Sequence, residues 1–266
     1  MPTISVVMPV YNDERFVGAA IESILAQNFQ DFEFIVVNDG STDDTGDVLG
    51  KFIDPRLIII NQTNHGIVRA LNVAISMAKG EYIARMDSDD VSRRDRFRKQ
   101  VEFLDSKPEY GLVGSPCEIV HEDGTHMAHF SVPQRDEAIR RSMIWRNPFV
   151  HSSIMVRKSV LDIVGGYKKT YDSIGHDYDL WWRILSVTKG ANLGEELLTR
   201  THRSKSTFRI RKYIHYQFMW KILFDAFRKG YAPRMIMAAS LGRTACYYAA
   251  HRLLWGFKII LSNKVS

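Results

Sequence analysis

Residues 82–90 read YIARMDSDD, an apolar run that ends in three carboxylates, Asp87, Asp89 and Asp90, with Ser88 after the first. Carboxylates crowded at the end of a buried strand either raise their pKa or bind a cation. An all-oxygen donor set suits a hard divalent ion such as Mg²⁺, which takes one or two carboxylates and leaves positions for a substrate's phosphates. The plainer alternative is that Asp90 caps a helix beginning near Ser92 and the other two are solvated. Comparable polar groups follow three other apolar runs: Tyr11-Asn12, Asp39-Gly40-Ser41, and Asn64-His65-Gly66 with Arg69. Alone, each has an ordinary reading: a turn aromatic for Tyr11, a turn for Asp39-Gly40, a solvated helix charge for Arg69. In open α/β sheets, ligands bind beyond the carboxyl ends of the strands. Four strand ends aimed at one crevice therefore argue for a site better than any single residue.

The elements that must position these groups alternate. ISVVMPV (4–10), FEFIVVND (32–39), RLIIINQ (56–62) and EYIARM (81–86) are short apolar runs of strand length. Between them, Asn12 offers an N-cap to a helix carrying Phe16, Val17, Ala20, Ile21 and Ile24. Ser41 or Thr42 offers a cap to a helix around 43–53, and Gly66 opens a helix faced by Ile67, Leu71, Ala74, Ile75 and Ala78. This rhythm predicts an α/β fold: a mostly parallel central sheet with helices on both faces. Further on, the pattern predicts a helix over 93–106, strands over 111–120 and 152–158, and helices over 159–167 and 177–187. From Phe208 to Leu261 it is helical, interrupted at 230–233.

Composition narrows the class. With 266 residues and 45% hydrophobic content, the chain can bury a sizeable core, which excludes intrinsic disorder. Its two cysteines, Cys117 and Cys246, have no CxxC spacing and fit a reducing compartment. No basic region precedes the first apolar run, unlike a signal peptide, and no run of 18 uncharged apolar residues suggests a membrane span. A cytoplasmic location is expected. The net charge of +6 is unevenly spread: residues 203–266 hold 13 Lys/Arg against one acid, Asp225, while the rest of the chain is net acidic.

The segments SVVMPVYN, VVNDGSTDDT, NHGIVRALNVAI, YIARMDSDD and GHDYDLWWRI occur in that order with suitable gaps. Together they resemble the family 2 glycosyltransferases, inverting enzymes with the GT-A fold that use nucleotide-diphospho-sugars. The resemblance covers residues 3 to about 206. It implies a GT-A domain over 1–206, with a nucleotide-binding half (1–105) and an acceptor-side half (106–206), followed by a basic amphipathic helical extension over 207–266. It implies that Pro9 and Tyr11 shape the base pocket, Tyr11 stacking on uracil of a UDP-sugar, and that Asp39 accepts a hydrogen bond from the base. Arg69 would lie near the nucleotide, Asp87 and Ser88 on the donor side, and Asp89 on Mn²⁺ or Mg²⁺. Asp177 falls on the position of the general base that takes the acceptor hydroxyl's proton, with His176 where the family has glutamate. A helix N-terminus there favours a carboxylate; Asp179, two residues on, points elsewhere. TRTHRSKST (199–207) resembles a segment supplying a late metal ligand, which assigns His202 to the metal and Arg200 or Lys205 to the pyrophosphate. His151 would line the acceptor side. The Gln-x-x-Arg-Trp pattern of processive synthases is absent after Asp177, which favours transfer of one sugar per binding event.

Two other functions fit parts of the sequence. A nucleotidyltransferase would want a glycine-rich loop after the first strand, and VYNDERF has no glycine before Gly18. A silent nucleotide-sugar-binding module would not need Asp87, Asp89 and Asp177 together. Residues 208–262 interleave apolar, aromatic and basic side chains. That pattern suits helices packed on the domain, an oligomer contact, or an anionic membrane surface bearing a lipid-linked acceptor. It contains no nucleic-acid-binding motif.

Overall fold

The computed structural model describes residues 1–169, 175–203 and 221–230. Its larger sheet has seven strands in the order β10-β6-β9-β4-β1-β2-β3. These are β1 (Ile4–Val10), β2 (Phe32–Asp39), β3 (Leu57–Gln62), β4 (Tyr82–Arg85), β6 (Tyr110–Gly114), β9 (Met155–Arg157) and β10 (Lys189–Asn192). The pairs β1–β2, β1–β4, β2–β3 and β6–β10 are parallel, and β9 runs antiparallel between β4 and β6. A smaller sheet, ordered β5-β11-β7-β8, is built from β5 (Asp90–Ser92), β7 (Cys117–His121), β8 (His126–Phe130) and β11 (Leu198–His202).

Helices cover both faces of the large sheet, as the sequence rhythm predicts. In β1, Ile4, Val6, Met8 and Val10 join one core with α1 (Val17–Leu25) and α4 (Arg96–Ser106), which contribute Ile21, Ile24, Phe97 and Leu104. Val7, Val37 and Ile83 point to the opposite core, with α3 (Ile67–Met77), α6 (Lys158–Val164) and α7 (His176–Leu185). Both faces being apolar, the central strands read as unbroken hydrophobic runs rather than as alternating ones.

Several local expectations change. Asn12 does not cap α1; it adopts φ 50°, and its side chain binds Thr42 instead. Ser41 and Thr42 are drawn into the same contact, so α2 (Thr45–Leu49) starts late and is short. The run 111–120 divides into β6 and β7 in different sheets, because Gly114-Ser115-Pro116 turns the chain and proline cannot continue a ladder. The run 152–158 begins as a 3₁₀ turn over His151–Ser153, leaving only three residues for β9. The hairpin strand β8, the helix α5 (Asp136–Ser142) and the return strands β10 and β11 carry too little periodicity to be predicted. Cys117 is free and buried.

Of the predicted C-terminal extension, residues 221–228 are helical. Ile222, Leu223 and Ala226 are buried in the α7-side core, whereas Lys221, Phe224, Arg228 and Lys229 face outward. Among the described residues no helix is long and apolar enough to cross a membrane.

Candidate active site

The carboxyl ends of β1 to β4 converge through hydrogen bonds between their loops. The Asn12 backbone N–H donates to Ser41 Oγ at 3.0 Å, and that of Asp13 to Thr45 Oγ1 at 2.8 Å. Ser88 Oγ donates to Asp13 Oδ2 at 2.6 Å, joining the β4 end to the β1 end. Asp39, only 3% exposed, organises the loop after β3. It accepts from Gln62 Nε2 at 2.6 Å, His65 N at 3.0 Å and Gly66 N at 2.8 Å. Gly40 makes this possible: its φ is +75°, and an added Cβ would lie 2.6 Å from Asn64 N. Pro9 lies buried in β1 opposite Val37, Tyr11 is half exposed at its end, and Arg69 is exposed on the first turn of α3.

At the end of β4, carboxylate oxygens of Asp87, Asp89 and Asp90 lie within 4.8 Å of one another. Burial pushes the Asp87 pKa up, but the Arg85 guanidinium paired with it outweighs this and holds it below the ordinary value. Asp89 is pushed up to about 6 by burial, then by the charges of Asp87 and Asp13. Burial and the same crowding push Asp90 to about 8. Asp90 does not cap a helix; it opens β5, accepting from Ser152 Oγ and from Thr201 N. Asp13, 4% exposed and raised by burial, is a fourth carboxylate here. Arg203 Nη1 reaches it at 3.1 Å and Asp89 Oδ2 at 3.7 Å. Three clustered carboxylates, Asp87 and Asp89 partly exposed and Asp89 and Asp90 raised in pKa, with no nitrogen or sulfur donor among them, fit a hard divalent cation.

Arg200 is exposed in β11, paired in register with Asp90, and its charge lowers the pKa of all three clustered aspartates. His202 sits two residues on, beside His121, and is not part of the carboxylate group within 4.8 Å. Lys205 lies outside the described residues.

The acceptor-side half brings α7 to the same region. Asp177 stands in the first turn of α7, after Gly175. Its Oδ2 accepts from Asn147 Nδ2 at 2.5 Å and its Oδ1 from Tyr178 N at 2.8 Å. Its neighbour His176 packs its ring against those of His151 and Tyr167, with centroids 5.3 and 5.9 Å away, and lies within electrostatic reach of Asp87. His151 Nε2 is 2.6 Å from Tyr167 Oη, and burial keeps this histidine neutral, with its pKa far below the usual value. Asp179 points away from the site, paired with Arg183 at 2.7 Å.

Sequence reasoning overlooked Asp13, Arg85, Asn147 and Arg203. Asp13 follows Asn12 directly at a strand end already singled out, and Arg85 is a charge inside an apolar strand; both signals were available. Asn147 and Arg203 meet their partners only through tertiary structure.

A largely parallel sheet with helices on both faces and a crowded acidic turn at its carboxyl edge is a fold of the GT-A glycosyltransferase type. A family model described as glycosyl transferase family 2 matches residues 5–164. EpsE of Bacillus subtilis (strain 168), a glycosyltransferase by its assigned name, is 34% identical over 222 residues, 80% of this chain and 78% of its own. The O-antigen biosynthesis glycosyltransferase WbnJ of Escherichia coli is 33% identical over 210 residues, 77% of this chain and 81% of its own. A solved structure, the mannosyltransferase PcManGT from Pyrobaculum calidifontis in complex with GDP-Man and Mn²⁺, shares the fold. Its TM-score is 0.67 at 22% identity, covering 98% of this chain and 81% of that one. The chain belongs to glycosyl transferase family 2 and is an enzyme of that family.

Proposed function

We propose that the enzyme moves one sugar from a nucleotide-diphospho-sugar, a UDP-sugar, to a hydroxyl of a carbohydrate or lipid-linked acceptor, with inversion, in surface polysaccharide or glycolipid assembly. The observation that carries this reading is Asp177, held by Asn147 at 2.5 Å on a helix that adjoins the acidic turn. The name of WbnJ refers to O-antigen biosynthesis, and PcManGT was solved with GDP-Man and Mn²⁺. Both support the general reading.

In this reading Pro9 and Tyr11 form the base pocket, with the exposed Tyr11 ring available for stacking. Asp39 spends three of its roughly four acceptor positions on the β3–α3 loop, leaving about one for a base N–H. Asp87 and Ser88 face the donor, with Arg69, Arg200 and Lys205 around its phosphates. Asp89 holds Mn²⁺ or Mg²⁺, with His202 as the late ligand. When bound, the cation offsets the charge that develops on the departing diphosphate. Asp177 accepts the acceptor hydroxyl's proton as that oxygen attacks the anomeric carbon. Asn147 and the Tyr178 N–H orient its carboxylate, and the buried His151–Tyr167 pair backs the same wall.

The outward face of the 221–228 helix, with Lys221, Phe224 and Arg228, and Lys229 just after it, supports peripheral attachment to an anionic cytoplasmic membrane surface. The rest of the basic extension lies outside the described residues.

The deciding experiment incubates the enzyme with Mn²⁺ and a panel of UDP- and GDP-sugars, with and without candidate acceptors. Release of UDP, and a product of inverted anomeric configuration, is the expected outcome. Pyrophosphate release, or retention of configuration, would refute the proposal.

A further inference from the structure

We infer that Arg85 is a positioning residue for the donor site, fixing the Asp87 carboxylate from beneath. The inference rests on the proposed donor role of Asp87 and adds a residue to it.

Arg85 is the last residue of β4, in register with Val7 of β1. It shares a face of the sheet with Val7 and Ile83, toward the core that also holds Ile35, Val37, Tyr167 and Trp181. An aliphatic side chain would suit that place better, since burying a guanidinium is costly unless its charge and donors are matched. Arg85 is 2% exposed, and its Nε and Nη1 have no hydrogen-bond partner. Its Nη2 pairs with Asp87 Oδ1.

Two other buried arginines show what a structural role looks like here. Arg96 donates to the carbonyls of Arg85 and Ile154 and to Gln100, tying α4 to β4 and β9. Arg183 donates to the carbonyls of Val164 and Gly166 and to Asp179, closing the end of α6. Arg85 ties no carbonyl. Its hydrogen-bonding is directed at one carboxylate, two residues along the same strand direction, that opens onto the site with a third of its side chain exposed. A buried guanidinium that donates to one carboxylate oxygen holds that oxygen in place as well as balancing its charge. It also places one permanent positive charge under a turn where Asp13, Asp87, Asp89 and Asp90 would otherwise repel one another.

The test is a double-mutant cycle on the full chain, read as UDP affinity by calorimetry in the presence of Mn²⁺, with GDP as a second probe. The variants are Arg85→Met, Asp87→Asn and the double substitution. Arg85→Met is expected to weaken binding about 10–100-fold, as loss of an outer-shell partner does. In the Asp87→Asn background the same substitution is expected to cost nothing further, because Arg85 acts through Asp87. Additive losses, or unchanged affinity in Arg85→Met while Asp87→Asn is weakened, would overturn the inference. Unchanged affinity in Asp87→Asn for both nucleotides would remove the donor role of Asp87 and the inference with it. If Arg85→Met fails to fold, Arg85→Gln removes the charge while keeping a polar side chain at that place, and the cycle is read with that variant in the same way.

Discussion

Replacing Asp177 by asparagine separates chemistry from architecture. The amide has the shape of the carboxylate, and its oxygen still accepts from Tyr178 N, now at 2.8 Å. Its NH₂ faces Asn147 Nδ2, so the Asn147 amide must turn over and present its oxygen. That oxygen now accepts from Phe149 N at 3.2 Å, and giving up one such bond costs about 1 kcal/mol. Removing a general base, by contrast, lowers the rate about 10²–10⁴-fold, or about 2.7–5.4 kcal/mol of barrier at 1.36 kcal/mol per decade. The loss in kcat thus exceeds the loss in stability. Asp177→Asn should bind UDP and the donor as the parent does, melt within a few degrees of it, and lose at least 100-fold in kcat. Continuous assay of nucleoside diphosphate release, with donor affinity by calorimetry, reads both quantities. A kcat within tenfold of the parent, in a variant that binds donor normally, would show that the proton goes elsewhere.

Other perturbations test the surrounding parts. Asn147→Ala keeps Asp177 but frees it to rotate, and should lower kcat by about tenfold with little change in donor KM; steady-state kinetics decide. If Asp89 holds Mn²⁺ as proposed, binding needs its ionised form, and burial and neighbouring carboxylates push its pKa up to about 6. Affinity should therefore fall about tenfold per pH unit below 6 and level off above it, as far as this group is concerned; titration calorimetry between pH 5 and 8 would show the break. Gly40→Ala must hold φ +75° with Cβ 2.6 Å from Asn64 N, which should destabilise the fold by about 1–3 kcal/mol and loosen the loop that Asp39 holds. Urea unfolding and UDP affinity should both register it. If the proposed membrane attachment holds, reversing Lys221, Arg228 and Lys229 to glutamate should weaken sedimentation with anionic vesicles while leaving the melting temperature nearly unchanged, since all three face outward.

The parallel half of the fold was legible because its strands are runs buried on two faces and its helices carry one apolar stripe each. The acidic turn was legible for a related reason: Asp87, Asp89 and Asp90 are adjacent in sequence, so their crowding needs no tertiary contact. The caps were misread because Asn12, Ser41 and Thr42 found each other across two loops about thirty residues apart, and such a bond competes with a local cap on equal terms. Of the smaller sheet only β7 falls within a predicted strand run; β8 is exposed and polar, as in HMAHF, and β5 and β11 find their partners across long separations. The expected metal role of His202 rested on resemblance alone; next to it, Arg203 is the side chain that reaches the acidic cluster.

The acidic turn is also the corner at which the chain leaves one sheet and enters the other. β4 ends at Arg85 and β5 starts at Asp90, so four residues make the joint between the two sheets. Asp90 braces it by accepting from Thr201 of β11 and Ser152 beside β9. A ligand seated in that corner would therefore brace the joint between the sheets. Its arrival should be felt through β11 in β7 and β8, as slower amide exchange in the smaller sheet.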